Sequence, residues 1–438
     1  MEEIVNVLNR GAPGLKHTEK TEIVPLNVWT EGKLEAEVAR ADIVRIEAEG
    51  EMAKVLAQLA KICRDFVNEE FQRRSKIYEE TGEIDVSIMP AYRNPSYFSF
   101  RRILGSRNFD EALRFVSEQY RNFSKLLEMK RRGELPEYID PKPPRDFKPL
   151  ALFVRFDNYE IDSEQRTIKL GYYGEVLSYK GNLRWFARGR QGRLMIKYNE
   201  AKKRWYAHIA SYVTLRRDNV VGYKCGVDLG QRFLAVVATE NGYVLMYKGS
   251  KLAWDYLYFK EKISQSDRLY SIGEIDLDFN VERKRIHNYK MKVHREEAFK
   301  NLASHLIRTL KQLGIAEIYV GYPHNITKDK PYEYNVSFWS YWKLMERIAI
   351  TAENYGIAVY ALDESGTSKH CAYHGIEGQR SPRGLLHCPM GHTIHSDVNA
   401  ALNILKKAGG KLPTMFKTQS FIVTPRGIKP VESRAGGC

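Results

Sequence analysis

Two aspartates and a knot of cysteines and histidines are the residues of this chain most suited to chemistry. Asp228 lies in Cys225-Gly-Val-Asp-Leu-Gly230, where an apolar strand ends against glycines that let a metal or phosphate come close to the backbone. Asp397 lies in His395-Ser-Asp-Val-Asn-Ala-Ala-Leu-Asn-Ile-Leu405, at the start of an amphipathic helix 169 residues further on. Neither is decisive alone: an aspartate in a turn is usually a local hydrogen-bonding cap, and one at a helix start stabilises it as an N-cap by about 1 kcal/mol. Cys371-x2-His374 and Cys388-x3-His392 look like two metal-binding knuckles around an Arg- and Gly-rich loop. Tetrahedral Zn2+ accepts thiolate and imidazole alike, and a closed site of that kind is structural. His370, His387 and His395 stand near enough in sequence to serve instead, and a metal-free loop held by packing is the bland alternative.

The elements that must position these groups can be read from periodicity. Thr21 to Trp29 is a short β-type run. Lys33 to about Tyr78 carries apolar residues at helical spacing, broken only by Gly50, and predicts two long helices. Phe109 to Arg131 predicts a third, and a joint from Leu135 to Pro149 with five prolines closes the helical block. Leu150 to Val213 alternates in the manner of several antiparallel strands. Val221 to Tyr247 reads as three strands with an Asn-Gly turn between the second and third. Helix Val281 to Leu313, strand Ala316 to Tyr322, helix Ser340 to Tyr355, strand Ile357 to Glu364, the Cys/His segment and helix Val398 to Lys407 follow. Three antiparallel strands and then alternating helices and strands give an RNase H-like α/β order, with acids at the strand ends. Residues 409–438 lack periodicity and are expected to be a flexible tail.

Composition narrows the setting. With 438 residues the chain is long enough for two to four domains, and 43% hydrophobic residues can fill several cores. A mean hydropathy of −0.47 and the lack of an apolar run near 18 residues exclude a membrane-spanning protein. Five cysteines in so long a chain do not make a disulfide framework, and the polar start MEEIVNVLNRGAPG has no leader character, so a cytoplasmic protein of a prokaryotic cell is expected. The formal net charge of +15 points to a polyanionic partner. Basic and aromatic residues interleave at Arg184, Trp185, Arg188, Arg190 and Arg193, again at Lys203 and Arg204, and around Arg93 and Arg101. A basic stretch covers Arg283, Lys284 and Arg285. Such mixtures suit phosphate pairing and base stacking, although each is also compatible with an ordinary solvated face.

The strings Thr367-Ser-Lys-His-Cys371, Cys388-Pro-Met-Gly-His392 and Asp397-Val-Asn-Ala-Ala-Leu-Asn-Ile404, preceded by Gly226-Val-Asp-Leu-Gly230, resemble in order and spacing the motifs of TnpB proteins. These are transposon-encoded, RNA-guided nucleases related to type V CRISPR effectors and to Fanzor proteins. The resemblance implies an α+β multidomain fold: a β-barrel wedge domain with an inserted helical recognition domain, then an RNase H-like RuvC domain with an inserted zinc-ribbon-like segment. The boundaries expected are 1–30 for the N-terminal segment and first wedge strand, 31–148 for the recognition domain and 149–220 for the wedge. They continue with 221–366 and 396–408 for the nuclease domain, 367–395 for the Cys/His insertion and 409–438 for the tail.

By the same resemblance Asp228 and Asp397 hold two Mg2+ ions, and Cys371, His374, Cys388 and His392 stand where the family usually has four zinc-binding cysteines. The chain departs from the pattern at the third acid, because Gly321 stands where the family usually has Glu at the end of the central strand. Glu364, at the end of the next strand, is the expected replacement, as in family branches with a relocated glutamate. Asp363 is the rival, and the two cannot easily both serve, since neighbouring strand side chains point to opposite faces; an inactive site is the third possibility. The implied activity is Mg2+-dependent cleavage of double-stranded DNA beside a short flanking motif, directed by a guide RNA from the transposon end, by a protein expected to be monomeric. A guide-bound DNA-binding protein without cleavage and an unguided RNase H-like nuclease are the alternatives. A transposase with a strand-transfer tyrosine has no support in the motifs.

Overall fold

A computed structural model of the chain describes residues 23–133, 140–217, 221–322, 340–382 and 384–431. These form two compact units, one built from Glu37–Thr214 and the other from the stretch ending at Ala36 together with Leu215 onward. In chain order the first half contains β1 (Ile23–Pro25), β2 (Glu35–Glu47), α1 (Gly50–Thr81), α2 (Met89–Arg93), α3 (Phe98–Leu104) and α4 (Ser106–Arg131). Six strands follow: β3 (Ala151–Val154), β4 (Tyr159–Asp162), β5 (Thr167–Leu170), β6 (Val176–Lys180), β7 (Arg190–Asn199) and β8 (Arg204–Arg216).

The first unit is a seven-stranded sheet in the order β3-β7-β8-β2-β6-β5-β4, with α1 to α4 inserted between β2 and β3. The sheet coils: the hydroxyl of Tyr159 on edge strand β4 donates to the carbonyl of Gly192 on β7, the neighbour of the other edge, at 2.9 Å. Its inner face and the apolar stripes of α1 and α4 share one core, in which Phe66 lies 4.4 Å from Phe109 and Phe115 stacks on Phe153 at 4.6 Å. Helix α1 stops at Gly82, whose φ of 74° is left-handed and whose N–H donates to the Tyr78 carbonyl.

Two expectations fail here. Residues 35–47 form a strand, not a helix, and supply the strand preceding the helical block. Their Glu, Ala and Arg content favours helix, but the burial from Arg40 to Ile46 has a strand's period of two, with Arg40, Asp42, Val44 and Ile46 inward. The run expected to be the first wedge strand is instead β1, which pairs antiparallel in the other unit's sheet. The boundary placed at residue 30 therefore cuts in the wrong place: the first unit takes up the chain at Glu37.

The second unit adds β9 (Tyr223–Asp228), β10 (Phe233–Thr239), β11 (Tyr243–Lys248), α5 (Ser250–Ser271), α6 (Leu277–Gln312) and β12 (Ile315–Tyr322). It continues with α7 (Tyr341–Glu353), β13 (Ala358–Asp363), β14 (Leu385–His387), β15 (Thr393–His395), α8 (Ser396–Lys407), β16 (Lys417–Thr424) and β17 (Gly427–Pro430). The main sheet runs β1-β13-β12-β9-β10-β11-β16-β17. Strands β9, β10 and β11 are antiparallel, while β12 joins β9, and β13 joins β12, in parallel. Helices α6 and α7 cover one face through Leu302, Leu306, Leu344 and Ile348, and α8 covers the other through Val398, Ala401 and Leu402.

The tail expected from 409 onward is corrected as well. Residues 417–424 pair in parallel with β11 and turn back as β17, so they extend the sheet. The Phe421-Ile-Val-Thr run before Pro425-Arg-Gly427 carried that strand signal. No helix among the described residues is long and apolar enough to cross a membrane.

Candidate functional site

The acids gather where β9 and β13 end and α8 begins. Asp228 is the last residue of β9. Two residues earlier, a Cβ on Gly226 would stand 2.2 Å from the Ala401 carbonyl oxygen and 2.6 Å from the Leu405 nitrogen. The missing side chain thus admits the backbone of α8 and not, as the sequence suggested, a ligand. That close approach brings the first turn of α8, with Asp397, toward Asp228. The N-cap of α8 is His395, whose Nδ1 accepts from the Asp397 N–H at 3.3 Å. The Asp397 carboxylate is therefore not consumed in capping, and Ser396 Oγ donates to its Oδ1 at 3.1 Å.

Gly321 ends up beside Glu364. A Cβ there would meet Ile404 Cδ1 at 2.5 Å, Glu364 Oε2 at 2.9 Å and Glu364 Cβ at 3.1 Å, so the glutamate of β13's end occupies the volume over the glycine of β12. Asp363 is engaged elsewhere: it accepts from the Ser365 N–H at 3.0 Å and from its hydroxyl. Glu364 Oε2, by contrast, is buried without a hydrogen-bond partner.

The electrostatics agree with this grouping. Burial pushes Asp228 well above the usual carboxylate range, the negative charges of Glu364 and Asp397 add to the rise, and Arg380 opposes it. Burial raises Glu364 to about 8, Asp363 adds to it and Lys407 opposes. An unpartnered buried oxygen among carboxylates that repel one another is a site short of positive charge, which divalent cations fit.

Helix α8 also fixes the chain around Glu364. Asn399 accepts from the Ala372 N–H and donates to the His370 carbonyl at 2.8 Å, and Asn403 donates to the carbonyls of Thr367 and His370. Lys407 donates to the carbonyls of Asp363 and Ser365. The regular polar spacing of Asp397-Val-Asn-Ala-Ala-Leu-Asn403 thus ties together the end of β13 and the Cys/His segment. These tethers, and Arg380, are what reading by motif missed; no spacing rule points to Arg380.

Cys371, His374, Cys388 and His392 bring their ligand atoms within 4.8 Å of one another. Cys371 Sγ lies 3.4 Å from His392 Nε2 and 3.7 Å from His374 Nδ1, and His374 Nδ1 lies 3.3 Å from Cys388 Sγ. A tetrahedron with Zn–S of about 2.3 Å and Zn–N of about 2.0 Å has S···N edges of about 3.5 Å. The donor set and its spacing fit zinc. Gly391, with φ of 96°, makes the turn after Cys388, which explains why the ligand stands one position later as His392. The three other histidines are engaged otherwise: His370 with the Gly366 carbonyl, His387 with Thr393 and His395 with Asp397.

The expected nucleic-acid residues divide into exposed and buried sets. In the first unit Arg93, Arg101, Arg184, Arg188, Arg190, Lys203 and Arg204 are exposed. Arg101 packs over Tyr92, Arg184 over Trp185 at 4.4 Å, and Arg190 over Tyr212 at 4.5 Å. The loop bearing Arg184 and Trp185 is fixed by Asp42, whose carboxylate accepts the N–H groups of residues 184–186. Arg193 departs from that expectation: its side chain is 10% exposed and already paired with Glu111 and Glu118. In the second unit Arg283, Lys284 and Arg285 lie on α6, with Lys284 2.8 Å from Asp267.

Residues 212–327 match the model of the OrfB family of IS605 elements, described as a probable transposase, and residues 341–404 match the Cas12f1-like TNB domain. A TnpB-like protein of Acidianus two-tailed virus is 35% identical over 428 residues, covering 90% of this chain and 92% of its own. Among solved structures, the Cas12f1 protein in a complex with sgRNA and target DNA matches with a TM-score of 0.53 at 13% identity, over 84% of this chain and 98% of that one. At that identity the likeness concerns fold alone. The curated match spans nearly the whole length of both proteins, and this chain belongs to the TnpB family.

Proposed function

We propose that the protein is an RNA-guided DNA endonuclease with one RuvC-type site, in which Asp228, Glu364 and Asp397 hold two Mg2+ ions. The observation that carries the reading is Glu364, whose unpartnered oxygen lies over Gly321 and restores from β13 the carboxylate that β12 lacks. When bound, the ions supply an acidified water and a charge clamp on the leaving oxygen of a phosphodiester. The chain's own residues do the rest. The β9 end and the first turn of α8 present two carboxylates, Asn399, Asn403 and Lys407 hold the segment that presents the third, and Arg380 offers a cation beside them for a phosphate. Guide RNA and double-stranded target DNA are the proposed partners, in keeping with the basic charge and the named complex of the structural neighbour. The Cys/His centre is proposed to hold one structural zinc.

The test is to express the protein with its native flanking DNA and sequence the RNA retained after a high-salt wash. A plasmid matched to that RNA is then challenged in Mg2+. One discrete RNA ending beyond the element, with cleavage lost in Asp228→Ala and Glu364→Ala but kept in Asp363→Ala, is the expected result. Retained RNA without cutting would favour the non-cleaving binder, and cutting without RNA the unguided nuclease.

A further inference from the structure

The hairpin of α5 and α6 has an outward face whose composition is unusual for a solvated surface. The two helices pack through Asp255 and His294, 3.0 Å apart, Phe259 against the rings of His287 and His294, and Ser266 with Asn280 at 2.8 Å. Leu252 and Tyr256 of α5, and Phe299, Leu302 and Leu306 of α6, turn to the sheet. Helical periodicity then leaves Trp254, Tyr258 and Lys262 as the outward row of α5, and Phe279, Arg283 and Lys290 as that of α6. Trp254 is 68% exposed, Tyr258 57% and Phe279 49%. Because Phe259 reaches both His287 and His294, Lys290 stands at the level of Tyr258. Lys262 lies 5.8 Å from the Tyr258 ring and Arg283 5.6 Å from the Phe279 ring, so cations and rings alternate.

We propose that this face is a binding platform for single-stranded nucleic acid, with bases stacking on Trp254, Tyr258 and Phe279 and phosphates paired with Lys262, Arg283 and Lys290. The inference rests on the proposed function only for the source of the strand; binding itself requires neither guide nor metal. Charge decides the class of partner. From Arg283 to Lys292 α6 carries five cations and no acid, against the exposed Glu261 on α5, so a second copy of the chain would set this basic stretch against itself, whereas a polyanion is attracted to it. Exposed rings select the single strand, since a duplex hides the base faces on which they stack. The packed length, from the level of Asp255 to that of Asp267, is about 18 Å at 1.5 Å per residue, enough for a few nucleotides.

The full-length protein in EDTA is titrated into a fluorescein-labelled twenty-residue oligothymidine and into a duplex of the same length. In the variant Trp254→Ala/Tyr258→Ala/Phe279→Ala the single-strand Kd should rise at least tenfold and the duplex Kd less than twofold. Arg283→Glu/Lys290→Glu should flatten the salt dependence of single-strand binding. Photocrosslinks from a bromodeoxyuridine version of the probe should map to the peptides carrying residues 254–258 or 279. Equal weakening of both probes, no weakening of either, or crosslinks confined to other parts of the chain would overturn the proposal. So would a dimer in sedimentation that the triple variant dissociates. Failure of plasmid cleavage leaves these readouts untouched, and failure of the platform leaves cleavage by the acids untouched, so the two readings fall separately.

Discussion

Replacing Glu364 by Gln should stabilise the metal-free protein at pH 8 while abolishing cleavage. Burial and the neighbouring Asp363 charge raise Glu364 from an ordinary 4.5 to about 8 in the folded chain. An acid whose pKa rises on folding leaves the folded state at full stability below pH 4.5 and costs it stability as the pH climbs toward 8. Between pH 4.5 and 8 the loss is at most about 5 kcal/mol, at 1.36 kcal/mol per pH unit. Asp228, also pushed up by burial, by Glu364 and by Asp397, shares the same protons, which brings the expected effect to about 1 to 3 kcal/mol. Denaturant unfolding in EDTA measures it: the two proteins should coincide at pH 5, and the Gln variant should be the more stable at pH 8. Adding Mg2+ at pH 8 should raise the stability of the parent more than that of the variant, because the ions supply the missing positive charge. A Gln variant less stable than the parent at pH 8, or parallel pH profiles, would refute the assignment of Glu364 to a cation-deficient cluster.

Gly321→Ala places a Cβ under 3.0 Å from both Ile404 and Glu364, and should cost about 1 to 3 kcal/mol of stability and at least tenfold in cleavage rate while the bound RNA is kept. Cys388→Ser should lower zinc content, measured by plasma mass spectrometry, from about one per chain to near zero and depress the unfolding temperature; unchanged zinc would refute the four-ligand site. Arg193→Ala strands Glu111 and Glu118 and should destabilise by about 3 to 5 kcal/mol, whereas Arg184→Ala should spare stability and reduce the salt slope of nucleic-acid binding by about 0.7 to 0.9. Arg380→Ala removes a cation that opposes the rise of Asp228, so the acid limb of the pH–rate profile should move to higher pH; an unmoved limb would refute that influence.

The parts of the fold legible in the sequence are those where a local pattern and its burial agree. Strands β9 to β13 and helices α7 and α8 carry apolar runs that match their packing on the two faces of one sheet, and their bounds fall close to those read from periodicity. Residues 35–47 were illegible because Glu and Ala favour helix while the decisive fact, alternate burial against a distant sheet, is tertiary. Helix α5 escaped because its outward face is aromatic, and Trp254, Leu257 and Tyr258 blur the contrast between faces on which an amphipathic reading depends. The site divides in the same way. Residue type and spacing singled out Asp228, Asp397 and the Cys/His set, but nothing local told the free Arg184 from the buried Arg193, since each is an arginine in a basic run and only the partner strand and α4 decide.

Gly321 and Glu364 are best understood as one feature. The register of β12 and β13 pairs Gly321 with Leu362 and Tyr322 with Asp363, so Glu364 lies just beyond the last paired residue. There the chain leaves the ladder, and its side chain is freed from the strict alternation that would oblige adjacent residues to face opposite ways. Asp363, still within the strand, accepts from Ser365, whereas Glu364 turns back over the neighbouring strand. It can do so only while position 321 lacks a Cβ, and its carboxylate can stay there only while Lys407 and Asn403 hold the following turn. A glutamate supplied from β12 would need the very volume that Glu364 now fills. The two solutions therefore exclude each other on steric grounds, and the glycine that argued against catalysis in the sequence is the residue that makes room for the third carboxylate.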